Sequence, residues 1–131
     1  MRYKEEKKMK MLLLDVQNNE VKVVEANGLE DYYKYIGCDY IDIVRRKIGD
    51  LTVEIVCDDE GTFCEHPKAS AIDITGQPCL VGNLLIASER VIDGNLTELT
   101  EEEIEYIKQF IIEVTTSFYK EPYKVIWEMD Y

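Results

Sequence analysis

The chain reads as an α+β domain. The reading is an antiparallel or mixed sheet of about 5–7 strands, a short helix over about 28–36, and a long C-terminal helix over about 100–119 packed on one face. Three observations predict this. Two apolar stretches, 9–16 and 20–26, flank Gln17-Asn18-Asn19, whose side chains favour turns. Alternation over 51–57 sets Leu51, Val53, Ile55 and Cys57 on one face and Thr52 and Glu54 on the other. Thr100 and Glu103 form a capping-box signature ahead of Ile104, Ile107, Ile111, Val114 and Phe118, which recur at three-four spacing.

The elements follow in chain order. Residues 1–8 read as a solvated leader, and a single domain fills 1–131. The stretches 9–16 and 20–26 pair as an opening hairpin. Asn27 and Glu30 predict a capping box for the short helix, Leu29, Tyr32, Tyr33 and Ile36 supply its spacing, and Gly37 its left-handed stop. Ile41 and Ile43 begin a strand, Gly49-Asp50 turns it, and 51–57 returns. Asp58-Asp59-Glu60-Gly61 reads as a further hairpin turn, from which Thr62-Phe63-Cys64 starts back. Pro67 and Pro78 interrupt ladders for want of an amide hydrogen, with a brief strand at Ala71–Ile74 between them. Leu80 to Ala87 is almost all apolar and predicts one central strand covered on both faces. Pro122 ends the long helix. Val125, Trp127 and Met129 then alternate with Lys124 and Glu128, predicting an added edge strand at 123–131.

Charge is the strongest functional signal. Asp and Glu number 27 against 15 Lys and Arg, for a formal net charge of −12. Five of the bases fall in the first ten residues, so the body from residue 11 carries 25 acids to 10 bases. Such a surface repels nucleic acid and draws basic partners. The partner expected is therefore a basic protein surface, with no direct nucleic-acid binding. No apolar run reaches the roughly 20 residues of a membrane helix, and the Met11–Leu14 run is shorter than a signal-peptide core of about 7–15 residues. A cytoplasmic protein without membrane contact is expected.

The candidate sites each have a plainer reading. Asp58, Asp59, Glu60, Glu101 and Glu102 are the acidic surface, although Glu101–Glu103 also oppose the positive end of a helix dipole. Asp58-Asp59-Glu60-Gly61 lacks the alternating oxygens of a calcium loop. Cys57, Cys64, His66 and Cys79 offer a Cys₃His zinc set, but their gaps are unlike the tight pairs of zinc knuckles, so reduced thiols and no metal are expected. His66, the single histidine, has no nucleophile pattern around it beyond a Cys57 or Cys64 pairing, and catalysis ranks third. No phosphate-cradling motif is present, and no cofactor is expected. Arg45 and Arg46, with Tyr32, Tyr33 and Tyr35, are the candidate ligand contacts if a pocket gathers them. Tyrosines at that density also suit a protein interface.

Several short segments carry a family resemblance: Met9-Lys10-Met11-Leu12-Leu13, Gly28-Leu29-Glu30, Gly37-Cys38-Asp39-Tyr40-Ile41, Val56 to Gly61, Ile72-Asp73-Ile74-Thr75-Gly76 through Leu80-Val81-Gly82, and Leu99-Thr100-Glu101-Glu102. Together they resemble a small uncharacterised domain family, a domain of unknown function, of Gram-positive bacteria and their phages and mobile elements. The resemblance spans roughly 9–118. Where the family has an Asn at the hairpin this chain has Asp58-Asp59, and where it has Asn-Arg after the proline this chain has Lys68-Ala69. The resemblance implies no activity; it implies a mobile-element setting.

These readings converge on a non-enzymatic acidic protein-interaction module, a phage or mobile-element accessory or anti-defence inhibitor. The alternative is a small-molecule or nucleotide-binding module. The edge strand at 123–131 makes a homodimer the expected assembly.

Overall fold

The computed structural model describes residues 9–59, 68–92, 95–115 and 121–130. Among the described residues, ten strands and two helices occur in the order β1 (Met9–Asp15), β2 (Glu20–Ala26), α1 (Leu29–Ile36), β3 (Ile41–Ile48), β4 (Leu51–Asp58), β5 (Ala69–Asp73), β6 (Pro78–Val81), β7 (Leu84–Ile92), β8 (Asn95–Thr97), α2 (Glu101–Lys108), β9 (Ile111–Val114) and β10 (Tyr123–Asp130). All the strands join one sheet, ordered β2-β1-β7-β4-β3-β10-β5-β6, with β8 paired to β7 and β9 to β10. Every pairing is antiparallel except that of β10 with β5.

The middle of the sheet is buried on both faces. On one, Leu12, Leu14, Val53, Ile55, Leu84 and Ile86 join Ile104 and Ile107 of α2, together with Val125, Ile126 and Met129 of β10. On the other, Met11, Leu13, Val56, Leu85 and Ala87 pack with Tyr32 and Ile36 of α1. Because side chains alternate along a strand, β1, β4 and β7 must be apolar at successive positions to fill both layers. Beyond β4 the sheet curls. Although β3, β10 and β5 intervene, a Cβ placed on Gly82, just after β6, would lie 3.9 Å from the Asp58 Cβ at the end of β4.

The predicted fold class needs correction. There is no long C-terminal helix: α2 has eight residues, and Ile111–Val114 is a strand paired with β10. The capping box at Thr100 and Glu103 forms as read, with reciprocal bonds of 2.9 and 3.1 Å. The far end does not, because Ile111, Ile112, Val114 and Thr115 are β-branched and stiff at χ1. The three-four stripe is ambiguous there, since Ile111 and Val114 become half-buried by sheet pairing. Phe118 lies outside the described residues. Ten strands replace the 5–7 predicted, and both helices are short.

Three further differences follow. The run Leu80 to Ala87 is two strands, broken at Gly82 and Asn83. Asn83 is a staple: its Oδ1 accepts from the Val16 N–H at 3.0 Å and its Nδ2 donates to the Tyr35 carbonyl at 3.2 Å. The first helix starts at Gly28 without a side-chain cap, and Asp31, not Glu30, reaches back to the Asn27 N–H at 2.7 Å. Finally, 123–131 is not an edge strand. β10 lies between β3 and β5 and also pairs with β9, so the ladder that the predicted homodimer would use is already occupied. A register shift between Ile126 and Met129, with Glu128 at φ 58°, lets β10 pass from β9 to β3. The expected leader, 1–8, and the turn residues Glu60-Gly61, with the return at Thr62-Phe63-Cys64, lie outside the described residues.

Gly49 joins the β3–β4 turn to α2. At φ 60° it adopts a left-handed conformation, and a Cβ there would lie 2.5 Å from the Phe110 ring and from the Tyr106 hydroxyl. Gly49→Ala should therefore cost about 2–3 kcal/mol of stability in urea unfolding, from backbone strain and displaced rings. Asn83→Ala should cost about 2 kcal/mol by leaving the Val16 N–H and the Tyr35 carbonyl without their partner. A loss under about 0.5 kcal/mol for either would show that these contacts are dispensable.

Candidate functional site

One cleft forms where the end of the β3–β4 ladder meets β6. The ladder sets Asp42 opposite Cys57 and Ile41 opposite Asp58, and the Asp59 N–H bonds the Tyr40 carbonyl at 3.0 Å. Alternation sends Asp42, Val44 and Arg46 to the same face of the sheet. The curl then brings up β6, so that Pro78, Cys79, Leu80 and Val81 form the opposing wall. The cleft has a volume of about 310 Å³, and Cys57, Asp58 and Asp59 complete its lining. Among the described residues, three aspartates and one arginine thus line it.

The thiols report that field. Burial pushes the Cys57 thiol up to about 11, and the Asp42 carboxylate adds to this, against the opposing pull of Arg46. Cys79 is raised first by burial and then by Asp73, with Arg46 again opposing, so the guanidinium acts on both thiols. Cys38, beside the cleft, is raised to about 11 by burial and then by Asp58. A thiolate in this place is disfavoured twice, by desolvation and by like charge.

The residues singled out from the sequence do not all come together. Arg45 and Arg46 are adjacent on a strand and so point to opposite faces. Arg46 lines the cleft, while Arg45 holds Glu54 through bonds of 2.8 and 2.9 Å, with its own side chain 62% exposed. Tyr32 is buried beneath α1, Tyr33 is 37% exposed, and the Tyr35 hydroxyl donates to the Glu25 carbonyl at 3.0 Å. Tyr32 and Tyr35 sit with the second core cluster, whereas Arg46, opposite Val53, faces the first-cluster side. One pocket does not gather the five. Asp58 and Asp59 both line the cleft, and Asp42, which the sequence reading passed over, lines it with them. Its parity with Cys57 across the ladder was the available signal.

Cys57 and Cys79 of the zinc alternative line the same cleft, whereas Cys64 and His66 lie outside the described residues, as does Glu60 of the acidic surface. Among the described residues no group of three His, Cys, Asp or Glu side chains is placed to hold a metal ion. Glu101 and Glu102 are exposed in the first turn of α2. Glu102 lines a second, shallower groove of about 290 Å³ with Asp50, Leu51, Glu103 and Tyr106.

Among the described residues no helix is long and apolar enough to cross a membrane. Compared with known protein families, residues 9–112 match the one described as "Domain of unknown function (DUF3846)". No curated protein and no solved structure matches.

The raised thiols have a testable consequence. With folded values near 11 against an ordinary 9.0, Cys38 and Cys57 expose about a hundredfold less thiolate at pH 7.5 than an unfolded chain. Iodoacetamide should therefore label both at least that much more slowly in the folded protein, as read by peptide mass spectrometry. Folding stability should also fall as pH rises from 9 toward 11, because there the unfolded chain has lost thiol protons that the folded one keeps. Rapid labelling at pH 7.5 would contradict the burial of these groups.

Proposed function

This chain belongs to the DUF3846 family of domains of unknown function, and we propose that it is a non-enzymatic acidic protein-interaction module whose cleft receives a basic protein surface. One observation carries the reading: among the described residues, Asp42, Asp58 and Asp59 line one cleft together with Arg46. Asp42 and Asp58 sit on paired strands, so their backbone needs little reordering when a cationic side chain binds. The formal net charge of −12 adds long-range attraction for the same class of partner. In the mobile-element setting implied by the resemblance, the sharpest form is an inhibitor that presents carboxylates where a defence nuclease binds phosphates. It would act inside the cell.

A second reading rests on Arg46, whose guanidinium favours a small anionic or amphoteric molecule within the same cleft. A native mass spectrum of the protein as purified separates the two, since a discrete added mass would favour the small molecule.

The leading reading is tested by titration with nona-arginine at 25 and 300 mM salt. Affinity should fall at least about tenfold at the higher salt, and Asp42→Asn/Asp58→Asn/Asp59→Asn should weaken low-salt binding by a similar factor. A control of equal charge change, Glu20→Gln/Glu98→Gln/Glu121→Gln, should have a much smaller effect. Equal losses in the two triple variants, or a salt-insensitive complex, would overturn the cleft as the point of recognition.

A further inference from the structure

A second groove of different character lies between the β3–β4 turn and α2. Leu51 and the Tyr106 ring give it an apolar lining, and Asp50, Glu102 and Glu103 supply carboxylates from two separate elements. The helix dipole accounts for the two glutamates but not for Asp50, which the turn at Gly49 delivers. Glu103 is already engaged: it accepts from the Thr100 N–H at 2.9 Å and lies 3.5 Å from an Arg90 guanidinium nitrogen. Asp50 and Glu102 make no ion pair among the described residues.

The ring is held in place. The Tyr106 hydroxyl accepts from the Asp50 N–H at 2.9 Å, and its ring packs on Phe110 with centroids 5.4 Å apart. Phe110 in turn packs on Trp127 at 6.4 Å, and Trp127 is 37% exposed. A line of aromatic rings therefore runs from the groove to the surface. Such an arrangement matches a lysine or arginine side chain: an aliphatic stem lies along apolar walls, while the cation sits near a ring and near carboxylates.

We propose that this groove is a second docking point for the basic partner, taking a lysine or arginine side chain of that protein against Leu51 and Tyr106, with its charge toward Asp50 and Glu102. The proposal rests on the acidic-module reading and extends it to two points of contact, because the groove is separate from the Asp42–Asp58–Asp59 cleft. It is shallow, so it suits the side chain of a docked protein better than an enclosed small molecule.

The test is an amide NMR titration of the full folded chain with blocked pentalysine at low salt. Shifts should concentrate at 49–51 and 102–106, and Asp50→Asn/Glu102→Gln should weaken that binding about five- to tenfold. Tyr106→Phe keeps the ring and should keep most of the affinity. Shifts confined to the Asp42, Asp58 and Asp59 region would overturn this groove and leave the proposed function standing. Diffuse shifts indifferent to the double variant would also overturn it. An absence of shifts anywhere would overturn the groove and the acidic-module reading together.

Discussion

Burial of β1, β7 and β4 on both faces is the constraint from which the rest of the structure follows. A strand that is apolar on alternate residues needs one cover, whereas these strands are apolar on successive residues and need two. One cover is α1, whose Tyr32 and Ile36 lie over Met11, Leu13, Val56, Leu85 and Ala87. A single eight-residue helix could not cover the other face, which α2 shares with the sheet itself. The sheet curls so that β10, β5 and β6 bring Val125, Ile126, Met129, Ala71 and Leu80 over Leu12, Ile55 and Ile86.

That curl creates the cleft. Strands that the topology separates, β4 and β6, end side by side, and polar residues at the strand ends collect along the seam. Burial first, and the nearby carboxylates second, hold the neighbouring thiols protonated. The second groove arises from the same folding event, since α2 packs its Ile104 and Ile107 into the curled core and thereby sets Tyr106 against the Gly49 turn. Both concavities are thus products of how the second core layer closes.

Elements whose information is local were legible in the sequence. The hairpin of β1 and β2 pairs over its whole length because its turn residues and apolar runs are contiguous. The β3–β4 ladder follows from alternation on both sides of Gly49, and the capping box at Thr100 forms because its two partners are three residues apart. What was not legible depends on distant partners. Ile111 and Val114 continue the helical spacing of Ile104 and Ile107, and it is β10 beside these β-branched residues that completes the strand. The tail was readable as a strand but not as an interior one, because nothing within 123–130 announces β3 on one side and β5 on the other.

By itself the sequence determined composition, charge and local conformation: a net charge of −12, the β1–β2 hairpin, the strands on either side of Gly49, the capping box at Thr100 and the left-handed stop at Gly37. Tertiary structure alone decided which residues come together. Arg46 lines the cleft with Asp42, Asp58 and Asp59, while Arg45 turns to Glu54 and Tyr32 and Tyr35 to the far layer. The physical reason is that local propensity acts over a few residues, whereas the curl that assembles a cleft is set by burying two apolar faces whose residues are spread along the chain from Met9 to Met129.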